Sequence, residues 1–189
     1  MSIVETTPET EATGLVAELF SEDVESLGYV PSHTKVMALN PEAVRAFEAL
    51  ARSVVASLGL RRYELVTLAA AKALGSDACL MAHGLKSLSI MDADELEAIA
   101  IDHRTAGLDD AEVAMMDFAI RLSTDSSSMS DADSGRLRAA GLTDREIVDI
   151  ALAAALRNFY SRALHALAVE PDVPPSLPRR LREALIGRD

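Results

Sequence analysis

Apolar positions recur along this chain at the three- and four-residue spacing of a helix, and each run breaks off where glycine, proline or small polar residues interrupt it. Residues 9–27 form a first amphipathic pattern that ends at Gly28, with "YVPSH" following as a connector. A second pattern opens at Asn40 or Pro41, runs to about Ser57 and is closed by Gly59. Proline just inside a helix start and glycine just past its end are both favoured there. A third pattern, residues 61–74, carries Leu65, Leu68, Ala69 and Lys72 on one stripe and stops at Gly75. Gly75 suits a left-handed C-terminal cap, Ser76 suits the N-cap of the next helix, and Asp77 complements the helix dipole. Cys79 then falls in the first turn. Further helices are predicted over residues 92–102, 109–123, 130–140, 144–169 and 178–186, while "STDSSSMSDADSG" reads as a flexible connector. The expectation is an all-α chain forming one domain over residues 1–189.

Part of this pattern occurs twice. Residues 59–85 align with residues 141–167 without a gap, at a constant offset of 82. Gly59, Leu60, Glu64, Val66, Ala69, Ala71, Ala73, Leu74, His83 and Leu85 all meet identical residues, and Leu65 and Leu68 meet Ile147 and Ile150. Matching alanines mean little in alanine-rich helices. Glu64 opposite Glu146 and His83 opposite His165 are rare choices, however, and they point to a duplicated helical hairpin. Cys79 meets Ser161, so the copy at about 59–85 holds a thiol and the copy at about 141–167 reads as degenerate.

A formal net charge of -12 argues against binding to nucleic-acid backbones or anionic membrane surfaces, both of which need a local basic excess. Arg179, Arg180 and Arg182 form a short basic run that reads as a solvated helix face. The most apolar stretch, "IVDIALAAALRNF", is interrupted by Asp149 and Arg157 and falls short of the roughly 20 apolar residues of a membrane-spanning helix. The N-terminal "MSIVETTPETE" has neither secretory nor transit-peptide character. With one cysteine there is no intrachain disulfide and no multi-thiolate zinc site, which suggests a reducing, cytoplasmic setting. The serine and aspartate stretch lacks the alternating acids and closing glutamate of a calcium loop, so neither a metal nor another cofactor is expected. A hydrophobic fraction of 49% in so short a chain predicts apolar helix faces covered by a second copy. The C-terminal arm, residues 171–189, either packs on such a neighbour or folds back on its own chain.

Candidate chemistry gathers in "GSDACLMAH". Cys79 and His83, at i and i+4, share one helix face within reach of each other or of one bridging water. A helix N-terminus and an adjacent imidazolium both favour the thiolate, the nucleophilic form of cysteine. Glu64, on the preceding helix, is available to orient the imidazole. The competing reading makes Cys79 a small buried hydrophobe, His83 incidental and Ser76 a plain cap. His33, His103 and His165 show no partner in the sequence.

Glu64, eleven residues, Ser76, two residues, Cys79, three residues and His83 together resemble the E-x11-C-x2-C-x3-H motif of the alkylhydroperoxidase D-like and carboxymuconolactone decarboxylase superfamily. Flanking "GYVPSHTKVMALNPEAVRAFEAL" and "LRAAGLTDREIVDIALAAALRNFYSRALHALAV" extend the likeness, to the peroxidase-related branch, over nearly the whole chain. The resemblance implies an all-helical bundle that assembles into dimers, trimers or hexamers. It also implies a proton relay in which Glu64 and His83 deprotonate Cys79, with Ser76 placed to hydrogen-bond the thiolate, and a hydroperoxide as substrate. Here Ser76 stands in place of the second cysteine and Ala78 in place of a further histidine found in some members. An oxidised Cys79 would therefore depend on an external thiol or redox protein. Two other functions are compatible with the same likeness: a cofactor-free lyase or decarboxylase using Glu64 and His83, and a non-catalytic helical oligomer.

Overall fold

The structure, a computed structural model, describes residues 2–187, and the described residues form ten α-helices and two short 3-10 turns with no strand. Among them no helix is long and apolar enough to cross a membrane. The expected first helix divides in two. A 3-10 turn at Glu9–Glu11 is separated from α1 (Gly14–Leu27) by extended Ala12 and Thr13, and Gly14 takes a left-handed φ of 55°. The "YVPSH" connector is likewise shorter than expected, because α2 (Ser32–Met37) starts directly after Pro31. Its first turn is satisfied from far away: Ser32 donates its backbone N–H and its hydroxyl to the Asp172 carboxylate, at 2.7 and 2.9 Å. Such a cap leaves no local signature.

Helix α3 (Pro41–Leu58) opens as predicted, with the Asn40 side chain accepting the Ala43 N–H at 3.1 Å. Helix α4 (Leu60–Ala73) is the centre of the molecule, with every residue from Tyr63 to Ala71 buried. It lies against α3, α5 (Asp77–Ser87), α7 (Asp110–Asp125) and α9 (Asp144–Ala166). Small alanine side chains allow neighbours on all of these sides. The remaining helices are α6 (Ala93–Asp102), α8 (Asp131–Ala139) and α10 (Arg179–Ile186). The serine-rich stretch is more ordered than the expected flexible connector: it ends α7, forms a 3-10 turn at Ser126–Ser128 and starts α8, where Asp133 accepts the Ser130 N–H at 2.8 Å.

The C-terminal arm folds back on its own chain. Leu181 and Leu185 are buried between α5 and α6, and Arg180 pairs with Glu97 at 2.8 Å. Gly84 on α5 permits this approach, since a Cβ there would meet Leu185 Cδ1 at 2.4 Å. Arg188 and Asp189, the end of the arm, lie outside the described residues.

The repeat survives in the buried stripe but not in the hairpin. Leu65, Leu68, Ile147 and Ile150 all reach the core, yet the first copy is two helices broken at Gly75 while the second is one continuous helix, α9. Gly75, at φ 64°, corresponds to Arg157, and Ser76 to Asn158. Glycine adopts the left-handed turn at little cost and arginine does not, so the second copy continues as helix.

Candidate active site

Cys79 lies in the first turn of α5, as expected, and is 3% exposed. Its sulfur accepts two hydrogen bonds, both from α9: from Arg157 Nη1 at 3.2 Å and from the Ser161 hydroxyl at 3.3 Å. Ser161 is the repeat counterpart of Cys79, 82 residues on, and Arg157 is the counterpart of the glycine that breaks the first copy. Arg157 is buried, its guanidinium carbon 5.7 Å from the Tyr160 ring centroid, and no carboxylate among the described residues forms an ion pair with it. Burial opposes its charge most strongly, but the Cys79 sulfur together with the Tyr63 and Tyr160 phenols prevails and its pKa lies above the usual value. Its Nε–H is buried without a hydrogen-bond partner.

Glu64 and His83 are joined as anticipated. The break at Gly75 turns α5 back along α4, so that His83 Nδ1 lies 2.6 Å from Glu64 Oε2 although 19 residues separate them. Glu64 is fully buried, and Lys86 Nζ stands 3.2 Å from its other oxygen, an ion-pair distance without hydrogen-bond alignment. Burial disfavours the Glu64 carboxylate, but its interactions with His83 and Lys86 prevail and hold its pKa below the ordinary carboxylate value. His83 is shifted down as well, first by burial and then by the Arg157 cation, against the pull of Glu64. The arrangement favours an ionised carboxylate beside a neutral imidazole whose Nδ1–H donates to it, which leaves Nε2 as the basic nitrogen.

Two expectations are corrected by this geometry. Among the described residues no hydrogen bond links Cys79 to His83; the i, i+4 spacing puts them on one face, but the sulfur turns toward α9. Ser76 does stand at the N-cap position of α5, yet its hydroxyl neither caps the helix nor reaches Cys79 and is buried without a partner.

Cys79, His83 and Arg157 line one cavity of about 1010 Å³, walled largely by apolar side chains from α1, α2 and α3, among them Leu19, Met37, Phe47 and Val55. Tyr160 and His33 also face it, their rings edge to face at 6.0 Å. Burial pushes the His33 pKa down to about 4, against the attraction of Asp172, and pushes the Tyr160 phenol up. The other histidines stand apart: His103 pairs with Asp117 at 2.8 Å, and His165 is exposed. Glu146 pairs with Arg62 at 2.8 Å and accepts the Thr143 N–H at the start of α9, so the second copy has no carboxylate–imidazole pair. Among the described residues no cluster of three or more His, Cys, Asp or Glu side chains is arranged to hold a metal ion.

Arg157, Ser161, Tyr160 and His33 were not singled out by the motif. Arg157 carried a signal nonetheless, as a cation inside the most apolar run of the chain; such a residue, when buried, must find a partner.

No protein-family model matches the sequence, and no curated protein matches it. Solved structures do. An uncharacterized peroxidase-related protein from Silicibacter sp. TM1040 is 27% identical, with 94% of this chain and 96% of that one covered and a TM-score of 0.79. The alkylhydroperoxidase AhpD core of an uncharacterized peroxidase-related protein from Ralstonia eutropha JMP134 is 22% identical over 100% of this chain and 98% of that one, with a TM-score of 0.78. The debrominase Bmp8 is 18% identical over 97% of each chain, also with a TM-score of 0.78. With this helical order, and with Glu64, Cys79 and His83 at the motif spacing, the chain has the fold of these alkylhydroperoxidase D-like, peroxidase-related structures.

Proposed function

We propose that the protein is a thiol-dependent peroxidase that reduces hydroperoxides with a single cysteine. The observation that carries this reading is one buried thiol, hydrogen-bonded by a guanidinium, sharing a cavity with a carboxylate-oriented imidazole. The Cys79 thiolate attacks the outer oxygen of the hydroperoxide, the O–O bond breaks, and the alkoxide leaves with a proton to become the alcohol. His83 accepts the thiol proton through Nε2 and returns it to the alkoxide, while Glu64 stabilises the imidazolium formed between the two steps. Cys79 is then a sulfenic acid. An external thiol attacks its sulfur, releasing water and forming a mixed disulfide, and a second external thiol restores Cys79 and departs as the disulfide. Peroxide consumption driven by a small dithiol is expected for the wild type and lost in Cys79→Ser; activity that survives Cys79→Ser sinks the reading.

A second reading draws on the debrominase likeness. A cysteine-to-alanine variant of Bmp8 in complex with 2,3,4-tribromopyrrole is 18% identical over 97% of this chain, with a TM-score of 0.75. An aromatic halide suits a cavity walled by Phe47 and Tyr160, and two external thiols supply the two electrons that replace halogen by hydrogen. Halide release that requires Cys79, in a protein that leaves peroxide untouched, would favour this reading over the first.

A further inference from the structure

The pair that was expected to activate Cys79 does not touch it, and the groups that do touch it come from the other repeat. A thiolate needs compensating charge nearby, and among the described residues the only cation within hydrogen-bond reach of the sulfur is Arg157. His83 is a poor substitute, because burial and the same arginine disfavour its protonated form. Among the described residues Arg157 also has no carboxylate paired with it to claim its charge. An arginine buried at the wall of a ligand-sized cavity with an idle Nε–H is costly unless an anion meets it there, and the Cys79 sulfur is the acceptor that the fold provides.

We propose that Arg157 is a catalytic residue: its guanidinium holds Cys79 as the thiolate, with the Ser161 hydroxyl as second donor, while the Glu64–His83 pair moves the proton without setting the charge of the sulfur. The proposal rests on the reading of Cys79 as a nucleophile but not on which electrophile it attacks. In this arrangement the second repeat is the thiolate cradle. Arg157 replaces the turn glycine, so α9 stays straight and carries both Arg157 and Ser161, one helical turn apart, to the same sulfur.

Alkylation of Cys79 separates this from the peroxidase reading, since it requires no peroxide and no reductant. With neutral iodoacetamide across a pH series, Arg157→Met is expected to slow alkylation at neutral pH by about tenfold or more and to move the midpoint of the profile upward, while Arg157→Lys restores part of the rate. His83→Gln is expected to leave the midpoint in place while slowing turnover of peroxide. Should Arg157→Met fail to fold, the wild type still decides: the rate ratio of anionic iodoacetate to iodoacetamide, normalised to glutathione, is expected to exceed one despite the chain's net charge of -12. A midpoint displaced as far by His83→Gln as by Arg157→Met, a normalised ratio below one, or a wild-type thiol inert at neutral pH overturns the proposal. A protein with the expected alkylation pattern that consumes no peroxide keeps the cradle and loses the peroxidase.

Discussion

Segments 59–85 and 141–167 share ten identical positions, yet one encloses a carboxylate–imidazole pair and the other spreads the same two residue types apart. The difference comes from one backbone break. In a straight helix, residues 19 positions apart stand about 28 Å from each other at 1.5 Å per residue, so Glu146 and His165 at the two ends of α9 cannot meet. The left-handed turn at Gly75 folds the same interval in half and brings His83 onto Glu64. Identity of side chains did not preserve their surroundings either: Val66 is 0% exposed and its counterpart Val148 is 56% exposed. The two similar segments thus form two complementary parts, a folded one that contributes the thiol and the carboxylate–imidazole pair and a straight one that contributes the cation.

Matched substitutions test this division most severely. Glu64→Gln is expected to lower thiol-dependent turnover by about 10²-fold or more, the usual magnitude for loss of an acid–base partner, while Glu146→Gln leaves turnover unchanged. Equal losses in steady-state assays would show that the two copies share the chemistry. Next in size is an acid sensitivity confined to the cavity. A folded-state His33 pKa of about 4, against 6.5 for the free group, means that the unfolded chain binds the proton more readily between those values. Stability is complete above pH 6.5 and falls toward pH 4 by roughly 3 kcal/mol, at about 1.4 kcal/mol per pH unit. His33→Gln should flatten that slope in denaturant titrations.

A covalent link across the repeat comes third. Ser161→Cys places a second sulfur where a hydroxyl now lies 3.3 Å from Cys79 Sγ, and oxidation is expected to join the two copies. The reduced and oxidised forms should then differ by about 2–4 kcal/mol in unfolding free energy, as a loop-closing disulfide usually gives. No intramolecular disulfide by mass spectrometry would mean that the two backbones stand too far apart. Smaller still, Gly75→Ala in the left-handed turn should cost about 1–2 kcal/mol by thermal unfolding, which Gly135→Ala, with open space around its Cβ position, should not. Glu146→Gln closes the series at about 0.5–1 kcal/mol through the weakened capping box.

Much of the fold was legible because its signals are local. Asn40 with Pro41, Gly28, Gly59 and Gly75 mark helix ends that depend on nothing beyond a few neighbouring residues, and the Glu64–His83 pair follows from motif spacing once Gly75 turns the chain. What escaped the sequence depends on distant partners. Helix α2 is capped by Asp172, 140 residues away, and Cys79 meets Arg157 across 78 residues. Periodicity says that a charged residue inside an apolar helix is unusual; only the approach of α9 to α5 says which group answers it. Ser76 illustrates the opposite limit. Its type and position were right for a cap, but its side chain is turned away from the helix it begins.

Among the described residues no carboxylate is paired with Arg157, so under the proposed thiolate chemistry the electrostatic balance of the cavity would change each time Cys79 reacted. Oxidation or alkylation would consume that anion and strand a buried cation, raising the free energy of every adduct relative to the free thiolate. A thiolate held in that way would in turn be a good leaving group, so a mixed disulfide at Cys79 would be readily displaced by a second thiol and lie at an oxidising potential. On the proposed chemistry, a centre with no resolving cysteine of its own would thereby be biased to shed whatever it has bound and return to its resting charge state.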